Sequence, residues 1–438
     1  MKKIKRRAFS ALLVTLALLA GLVVYVYRFS TQSASWVTFS ANEAVYHNGR
    51  VITGRIIDRS GIVLASSGNG KRVFAADSAI RTACLHAVGD RDGNIGTGAL
   101  TFFADRLSGY SALTGVDPDG ATLTLNLDAR LCAAAYDALG GRRGAVLVMD
   151  YTSGELLCMV SSPAYDPEKG FDAADPRYDS VYINRCISSI FTPGSVFKLV
   201  TLAAAIDTLP DLRQRSFVCT GSVLVDGSEV HCTGVHGTQT IEQALANSCN
   251  CAFAELSLEL GGDVLAEYAE RLGFTAELEL NGIPVRSGHF DASEDASAAL
   301  AWSGIGQSTD LISPYAMLRC AAAIANGGIV QEPSLLAEES CGESRLLKQD
   351  TAQQIKEMMS YAVNTTYGTW NFPGLNLCAK SGTAEVGDGT SHAWFTGFLD
   401  DAGHPYAFVV LAENAGGGAR VAGPIANAVL QAAIDPDQ

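Results

Sequence analysis

The hydrophobic positions divide the chain into an N-terminal apolar run, a mixed segment and a long alternation of strand-like and helix-like stretches. Residues 8–27 are uncharged and apolar over about the length that a bilayer-spanning helix needs. Residues 37–67 hold short β-type runs broken by turn signals at Asn48-Gly49 and Ser60-Gly61, and residues 79–115 show no sustained period. The pattern predicts one membrane helix followed by a small module of mixed structure.

A turn signal at residues 117–120 separates this module from the rest of the chain. The turn precedes a strand-like run at residues 123–127, and Asp128 is placed to cap an Ala-rich helix that ends at Leu139. We therefore place a module at residues 28–119 and a larger domain at residues 120–438.

The larger domain begins and ends with strands. Residues 145–150 form an apolar run whose partner returns at residues 155–161, and residues 393–399 and 406–412 repeat the arrangement. A helix follows at residues 421–434, and Ala-rich helical patterns lie between the two pairs of strands. We expect an α+β fold in which an antiparallel sheet carries a helical lobe.

Basic residues precede the apolar run, at Lys2, Lys3, Lys5, Arg6 and Arg7. Such a flank keeps the N-terminus of a membrane helix in the cytoplasm. A cleaved signal peptide is the alternative, but its apolar region is normally about 7–15 residues long, and Ser33-Ala-Ser35 is a poor match to its small-residue cleavage site. We favour a retained single-pass anchor at residues 8–27, a cytoplasmic tail at residues 1–7 and a catalytic domain outside the cell membrane.

Composition and charge limit the possible partners. The 438 residues are 48% hydrophobic with a formal net charge of -15, and the basic tail makes the remainder still more acidic. A large core is therefore available, and an acidic surface argues against binding to nucleic acid or to anionic lipid.

Eleven cysteines are an odd number, so at least one stays free or pairs with another chain. Cys219 and Cys232 flank a β-hairpin centred on Asp226-Gly227, and either a cross-strand disulfide or two free thiols fits that spacing. Cys232 with His231 and His236 offers zinc ligands, but the segment lacks a paired Cys-x-x-Cys motif. We expect no metal.

Three short motifs carry the candidate chemistry: Ser195-Val-Phe-Lys198, Ser248-Cys-Asn250 and Lys380-Ser-Gly-Thr383. Ser195 and Lys198 lie three positions apart after Pro193-Gly194, so one helical turn places the hydroxyl and the amine on the same face. A lysine with its ordinary pKa is a poor base because it is protonated. Burial and the nearby charge of Lys380 are expected to lower the pKa of Lys198.

These motifs, in this order, resemble those of class B penicillin-binding proteins. The likeness continues at Gly144–Ser162, His236-Gly237, Gly306-Gln307 and Trp394-Phe395, and a shorter match at residues 54–65 is similar to the N-terminal module of that family. The resemblance implies a penicillin-binding-protein/β-lactamase-like transpeptidase domain. It also implies a membrane-anchored enzyme that cross-links peptidoglycan.

The resemblance also implies a role for each motif residue. Ser195 is the nucleophile and Lys198 its base, while Ser248 relays protons between Lys198 and Lys380. The family pattern implies that Asn250 binds the substrate amide. It also implies that the two hydroxyls of the third motif, Ser381 and Thr383, bind the terminal carboxylate of the substrate. We expect Gly382 to leave room for a ligand beside the backbone, and the N–H groups of Ser195 and Thr383 to form the oxyanion hole.

The implied reaction is attack on the D-Ala-D-Ala bond of a stem peptide, followed by transfer of the acyl group to an amine of a neighbouring stem. β-Lactams are expected to acylate the same serine, and neither an organic cofactor nor a metal is implied. The chain before Gly120 is too short to hold a glycosyltransferase domain, so a separate membrane glycan polymerase is the expected partner. Thr53 stands where the family usually has arginine, which leaves an elongation, division or sporulation role open.

Other readings use the same motifs. A D,D-carboxypeptidase or a β-lactamase would admit water to the acyl-enzyme, and a membrane β-lactam sensor would signal without turnover. A sensor needs a cytoplasmic effector, and only residues 1–7 precede the anchor. We therefore favour the transpeptidase.

Overall fold

The computed structural model describes residues 1–37, 46–47, 50–51, 53–68, 71–111, 113–117, 119–290, 297–339, 341–387 and 389–435. The predicted turn at Asn48-Gly49 and one residue of the turn at 117–120, Pro118, lie outside the described residues.

The chain begins with a helix at Lys2–Val37. Its apolar part is long enough to cross a membrane, and the side chains of that part are exposed. Apolar side chains along so long a helix need a non-aqueous environment, which agrees with the predicted anchor.

A four-stranded sheet follows the anchor, in the order Lys71–Phe74, Val63–Gly68, Arg55–Ile57 and Thr122–Thr124. The last pairing is parallel. The strand that we predicted at 123–127 therefore belongs to the N-terminal sheet, and it is shorter than expected. Helices of this part lie at Ser78–Ala83, Leu85–Val88, Ala99–Phe102 and Ala104–Leu107, and a short strand pair at Tyr46–His47 and Arg50–Val51 precedes the sheet. Because this sheet crosses the proposed boundary at residue 120, the division into domains stays a prediction.

The central sheet has five antiparallel strands in the order Leu377–Glu385, Ser391–Leu399, Tyr406–Ala412, Gly144–Asp150 and Leu156–Ser162. Strands from both ends of the domain therefore meet, as the apolar runs predicted. Helices Ala129–Leu139 and Gly418–Ile434 pack together as one layer, and Pro314–Ala325 packs on the sheet with Gln349–Ala362. The α+β prediction is confirmed, and the sheet places Leu377–Glu385 at an open edge.

The helical lobe lies between the two halves of the sheet in sequence. Its helices are Lys198–Thr208, Ile241–Ala246, Asn250–Leu260, Gly262–Arg271 and Ala298–Ser303. Small strand pairs join Phe217–Cys219 to Gly237–Gln239, Ser222–Val225 to Ser228–His231, Leu278–Leu280 to Ile283–Val285, and Ile329–Gln331 to Glu343–Arg345. The predicted hairpin turn is confirmed, with Asp226 at φ 48° and Gly227 at φ 74°.

A large hydrophobic core runs through the described part of the chain, beside a smaller cluster that includes Ile95 and Tyr165. It extends from Ile56 in the N-terminal sheet to Leu430 in the last helix, and it includes the sheet residues Val148 and Phe408. Burial of apolar surface is the main source of stability, so the lobe and the sheet hold each other in place.

We expect Asp128 to stabilise the helix Ala129–Leu139 as its N-cap. Its carboxylate accepts hydrogen bonds from the backbone N–H groups of Arg130 at 2.9 Å and Leu131 at 3.0 Å. The substitution Asp128→Ala should lower the free energy of unfolding by about 1 kcal/mol, measured by urea denaturation of the chain in detergent. Asp137→Ala, at an exposed position of the same helix, is the control. Equal effects of the two changes would contradict the capping role.

Candidate active site

Ser195 lies in a tight turn that precedes a helix. Residues Gly194–Val196 form one 3-10 turn, and the α-helix Lys198–Thr208 follows directly. Gly194 has φ 55°, and a Cβ at this position would lie 2.6 Å from the backbone oxygen of Thr383. The missing side chain therefore lets the serine segment lie directly against the edge strand Leu377–Glu385.

A second glycine supports the same segment from another side. The N–H of Gly194 donates to the carbonyl of Gly306 at 2.7 Å. A Cβ on Gly306, which has φ 78°, would lie 2.1 Å from the carbonyl oxygen of Gly194. Two backbone segments thus fix the position of Ser195 without any flexible side chain.

The amine of Lys198 lies at the centre of the site. Its Nζ is 3.1 Å from the Oγ of Ser195, as the three-residue spacing predicted. It also donates to the carbonyl of Ser248 at 2.6 Å and to Oδ1 of Asn250 at 2.7 Å, and it lies 5.5 Å from the ring centre of Phe253. The side chain is 0% exposed, and burial lowers the pKa of Lys198 to about 7.

A second buried amine, Lys380, approaches from the edge strand. Its Nζ donates to Oγ of Ser248 at 3.0 Å and to the carbonyl of Ser381 at 2.7 Å. Burial and then the charge of Lys198 hold the pKa of Lys380 well below its usual value. We predicted that burial and the charge of Lys380 would lower the pKa of Lys198; burial lowers it, and repulsion between the two amines contributes to the lowered pKa of Lys380.

The hydroxyl of Ser248 lies between the two amines, 3.3 Å from Nζ of Lys198 and 3.0 Å from Nζ of Lys380. Ser248 has φ 53°, a left-handed backbone that a serine seldom adopts. The helix Asn250–Leu260 begins two residues later, and Asn250 also donates from Nδ2 to the carbonyl of His231 at 2.8 Å. The strained residue is therefore held between a helix start and the hairpin.

One side of the edge strand carries backbone groups that point away from the neighbouring strand. The N–H of Ser381 donates to the hydroxyl of Tyr367 at 3.0 Å, on the side away from the neighbouring strand. Backbone groups alternate between the two sides of a strand, so the N–H of Thr383 faces the same free side. The Oγ1 of Thr383 accepts from the N–H of Gly418 at 3.1 Å.

The structure shows a packing reason for glycine at position 382. A Cβ at Gly382 would lie 2.9 Å from the carbonyl oxygen of Pro193 and 3.0 Å from Cγ1 of Val196. The missing side chain thus lets the segment that carries Ser195 lie against the edge strand, and the predicted room for a ligand beside the backbone stays a prediction.

Tyr367 is a site residue that the sequence analysis missed. Its hydroxyl lies 3.0 Å from the backbone nitrogen and 3.1 Å from Oγ of Ser381, and its ring packs edge-on against Phe395. Tyr367 ends an irregular turn at Val363–Tyr367, and its neighbours in sequence carry no motif that marks it. Only the contact with Ser381 in the folded chain identifies Tyr367 as a site residue.

Aromatic residues of the strand Ser391–Leu399 pack around the site. Trp394 and Phe395 are buried, and the Nε1 of Trp394 donates to the carbonyl of Thr192 at 3.0 Å. His392 packs edge-on against Phe191, and its Nδ1 accepts from the N–H of Asn414.

All eleven cysteines are free in the structure, so of the two alternatives left open for Cys219 and Cys232 the structure has the free thiols. The Sγ atom of Cys219 contacts that of Cys251 at 3.6 Å, and the Sγ atom of Cys232 contacts that of Cys249 at 3.8 Å. Cys219, Cys232, Cys249 and His236 form a group whose ligand atoms lie close enough to hold a metal ion. We expected no metal because residues 231–236 alone lack a paired Cys-x-x-Cys motif. Folding adds Cys249, at the start of the helix Asn250–Leu260, to these candidate ligands.

We expect Gly382→Ala to destabilise the protein, because its methyl group would press on Pro193 and Val196. Overpacking of this kind costs about 1–3 kcal/mol, which urea denaturation of the chain in detergent would detect. Gly387→Ala is a matched control, since a Cβ there meets no atom within 4 Å. Equal stability of the two variants would contradict the close approach.

Comparisons with known proteins agree with one another. The family described as "Penicillin binding protein transpeptidase domain" matches residues 144–431. The peptidoglycan D,D-transpeptidase PbpA of Mycolicibacterium smegmatis is 30% identical over 376 residues, which cover 76% of each chain. PbpA of Mycobacterium tuberculosis is 29% identical over 377 residues, again 76% of each chain.

Solved structures show the same fold. The ceftriaxone acyl-enzyme complex of penicillin-binding protein A from M. tuberculosis matches with a TM-score of 0.77 and 26% identity, over 87% of this chain and 98% of that one. The D,D-transpeptidase domain of a peptidoglycan glycosyltransferase from Eggerthella lenta matches with a TM-score of 0.76 and 27% identity, over 88% and 98%.

Proposed function

Because the chain belongs to the penicillin-binding protein transpeptidase family, we propose that Ser195 is the residue that forms its acyl-enzyme. The protein is a serine-type peptidoglycan D,D-transpeptidase that β-lactams acylate. The observation that supports the assignment of Ser195 is the 3.1 Å contact between its Oγ and the buried Nζ of Lys198.

Acylation begins when neutral Lys198 takes the proton of Ser195. Burial favours the neutral amine, and the carbonyl of Ser248 with Oδ1 of Asn250 orients it. The Oγ of Ser195 then attacks the carbonyl carbon of the D-Ala-D-Ala bond in a stem peptide. The C–N bond breaks, and the departing D-Ala takes up a proton at its amine.

Backbone N–H groups stabilise the negative oxygen that develops during this attack. We assign the donors to Ser195 and Thr383. The 3-10 turn fixes the first, and the open side of the edge strand presents the second. Donors that are in place before the reaction need no reorganisation, which is why such a site accelerates acyl transfer.

The polar side chains around the acyl group serve substrate binding and proton transfer. We assign the terminal carboxylate of the donor stem to the hydroxyls of Ser381 and Thr383, and the substrate amide to Asn250. Ser248, between the amines of Lys198 and Lys380, passes the proton to the leaving amine and later receives one from the attacking amine. The new amide joins two stem peptides.

We also propose how the protein sits in the cell. The basic residues before the anchor keep the N-terminus in the cytoplasm, and the catalytic part then faces the peptidoglycan. We assign residues 28–119 to a docking module and residues 120–438 to the transpeptidase domain, with a separate membrane glycan polymerase as partner.

Labelling with fluorescent penicillin tests the nucleophile. We expect mass spectrometry to find the label on the peptide that contains Ser195, and Ser195→Ala to carry none, because the alcohol that forms the ester is gone. Ser188→Ala, which changes a serine outside the three motifs, is the control and should label like the unchanged protein. A label that persists in Ser195→Ala would contradict the assignment.

The products made from a stem peptide separate transfer from hydrolysis. We expect cross-linked dimers to form, together with a penicillin adduct that lasts. Trimmed monomers without dimers would indicate a carboxypeptidase, and rapid loss of the adduct would indicate a β-lactamase.

The pH profile tests the base. Because the pKa of Lys198 lies at about 7, the neutral amine dominates above that pH and is lost below it. The second-order rate of penicillin acylation should therefore fall about tenfold per pH unit below about pH 7 and level off above it.

Lys198→Met should lower that rate by about 10²–10⁴-fold and remove the dependence on pH. Lys169→Met, at a side chain that is 73% exposed, should leave both the rate and its profile unchanged. If the profile stayed level from about pH 5 to 9, a base of carboxylate type would have to replace Lys198, and a rate that still rose at pH 9 would mean a lysine with its ordinary pKa.

A further inference from the structure

We infer that Cys219, Cys232, Cys249 and His236 form a structural zinc site beside the Ser248-Cys249-Asn250 motif. The three Sγ atoms and one imidazole nitrogen all lie within 4.8 Å of one another. They come from three places in the fold: the end of one strand, the loop after the hairpin, and the start of the helix Asn250–Leu260.

The spacing between the ligand atoms agrees with a zinc tetrahedron. Zinc lies about 2.3 Å from sulfur and about 2.0–2.1 Å from nitrogen, so neighbouring ligands in a tetrahedron are about 3.8 Å apart for two sulfurs and about 3.6 Å for sulfur and nitrogen. The Sγ atoms of Cys232 and Cys249 are 3.8 Å apart, and Sγ of Cys232 lies 3.5 Å from Nδ1 of His236. Two edges of the tetrahedron are thus already formed.

The choice of ligands favours zinc. Thiolates are soft ligands that select zinc over magnesium or calcium, and three cysteines with one histidine are a common set in structural zinc sites. Cys219 and Cys249 are buried, while Cys232 and His236 are half-buried. Four protein ligands leave no position for a water or substrate, so this ion would stabilise structure without taking part in the reaction.

The residues around the ligands connect the metal to the active site. The N–H of Asn250 donates to Sγ of Cys232 at 3.2 Å, the kind of contact that orients a thiolate ligand. Nδ2 of the same asparagine holds the carbonyl of His231, while its Oδ1 contacts Lys198. Cys249 itself lies between Ser248 and Asn250 in the chain. Zinc would therefore fasten the hairpin to the turn that carries the proton relay.

A disulfide is the competing arrangement in an oxidising compartment. In that arrangement Cys219 would pair with Cys251, because their sulfurs lie 3.6 Å apart, and Cys232 would pair with Cys249. The first bond would remove one ligand from the zinc site and the second would remove two. Metal content and cysteine chemistry consequently distinguish the two arrangements.

Metal analysis of the full chain tests the site. The protein is purified in detergent without a polyhistidine tag or chelator, and zinc is counted by inductively coupled plasma mass spectrometry. We expect one zinc per chain, and we expect cobalt taken up by the stripped protein to show the charge-transfer bands of thiolate ligands. Cys232→Ser and His236→Ala should lose the metal, whereas Cys341→Ser, at an exposed cysteine outside the group, should keep it.

Three results would overturn the inference. The first is unchanged protein that contains no zinc and shows no cobalt–thiolate bands. The second is a peptide map in which Cys232 is joined to Cys249 or Cys219 is joined to Cys251. The third is a full zinc content in protein that carries Cys232→Ser and Cys249→Ser together. The first two use unchanged protein, so they decide the matter even where a variant fails to fold.

The effect on the active site rests on the proposed function and is measured separately. Stripping zinc should slow penicillin acylation by about tenfold or more, and added zinc alone should restore it. A protein that holds zinc but never labels with penicillin would count against the proposed nucleophile and not against the metal site. Acylation that is unchanged after stripping would overturn the connection between the metal and the turn.

Discussion

The burial of two lysine amines around one serine hydroxyl is the constraint on which the active site depends. Lys198 and Lys380 are both 0% exposed, and the Oγ of Ser248 lies within 3.3 Å of each Nζ. Two ammonium groups in so small a space would repel each other strongly, and each would lose its hydration. The neutral form is therefore favoured, and a neutral amine is what the nucleophile needs as its base.

The surrounding fold maintains this burial. The helix that begins at Lys198 brings one amine, and the edge strand of the central sheet brings the other. Glycines at 194, 306 and 382 let three backbone segments approach within contact distance, where a Cβ would clash. The central sheet and the helical lobe share one hydrophobic core. Close packing in this core holds the sheet and the lobe together and so fixes the positions of the site residues that they carry.

The sequence predicted the parts of this arrangement that depend on local spacing. The three-residue step from Ser195 to Lys198, the Asp226-Gly227 turn and the strands at both ends of the domain all follow from periodicity and turn chemistry. Local spacing does not predict contacts between distant segments. Only the family resemblance placed Ser248 and Lys380 beside Lys198. Tyr367 carried no local signal, the contacts of Gly382 with Pro193 and Val196 involve another segment, and the four candidate zinc ligands converge only in three dimensions.

The most direct measurement of the central claim is the pKa of Lys198 in the folded protein. Carbon NMR of the full chain with labelled lysine Cε atoms would follow each amine through its titration, and comparison with Lys198→Met would assign the resonance. The burial described here predicts a midpoint at about 7. A midpoint near the ordinary lysine value of about 10.4 would mean that the amine is hydrated and charged, which would contradict the account.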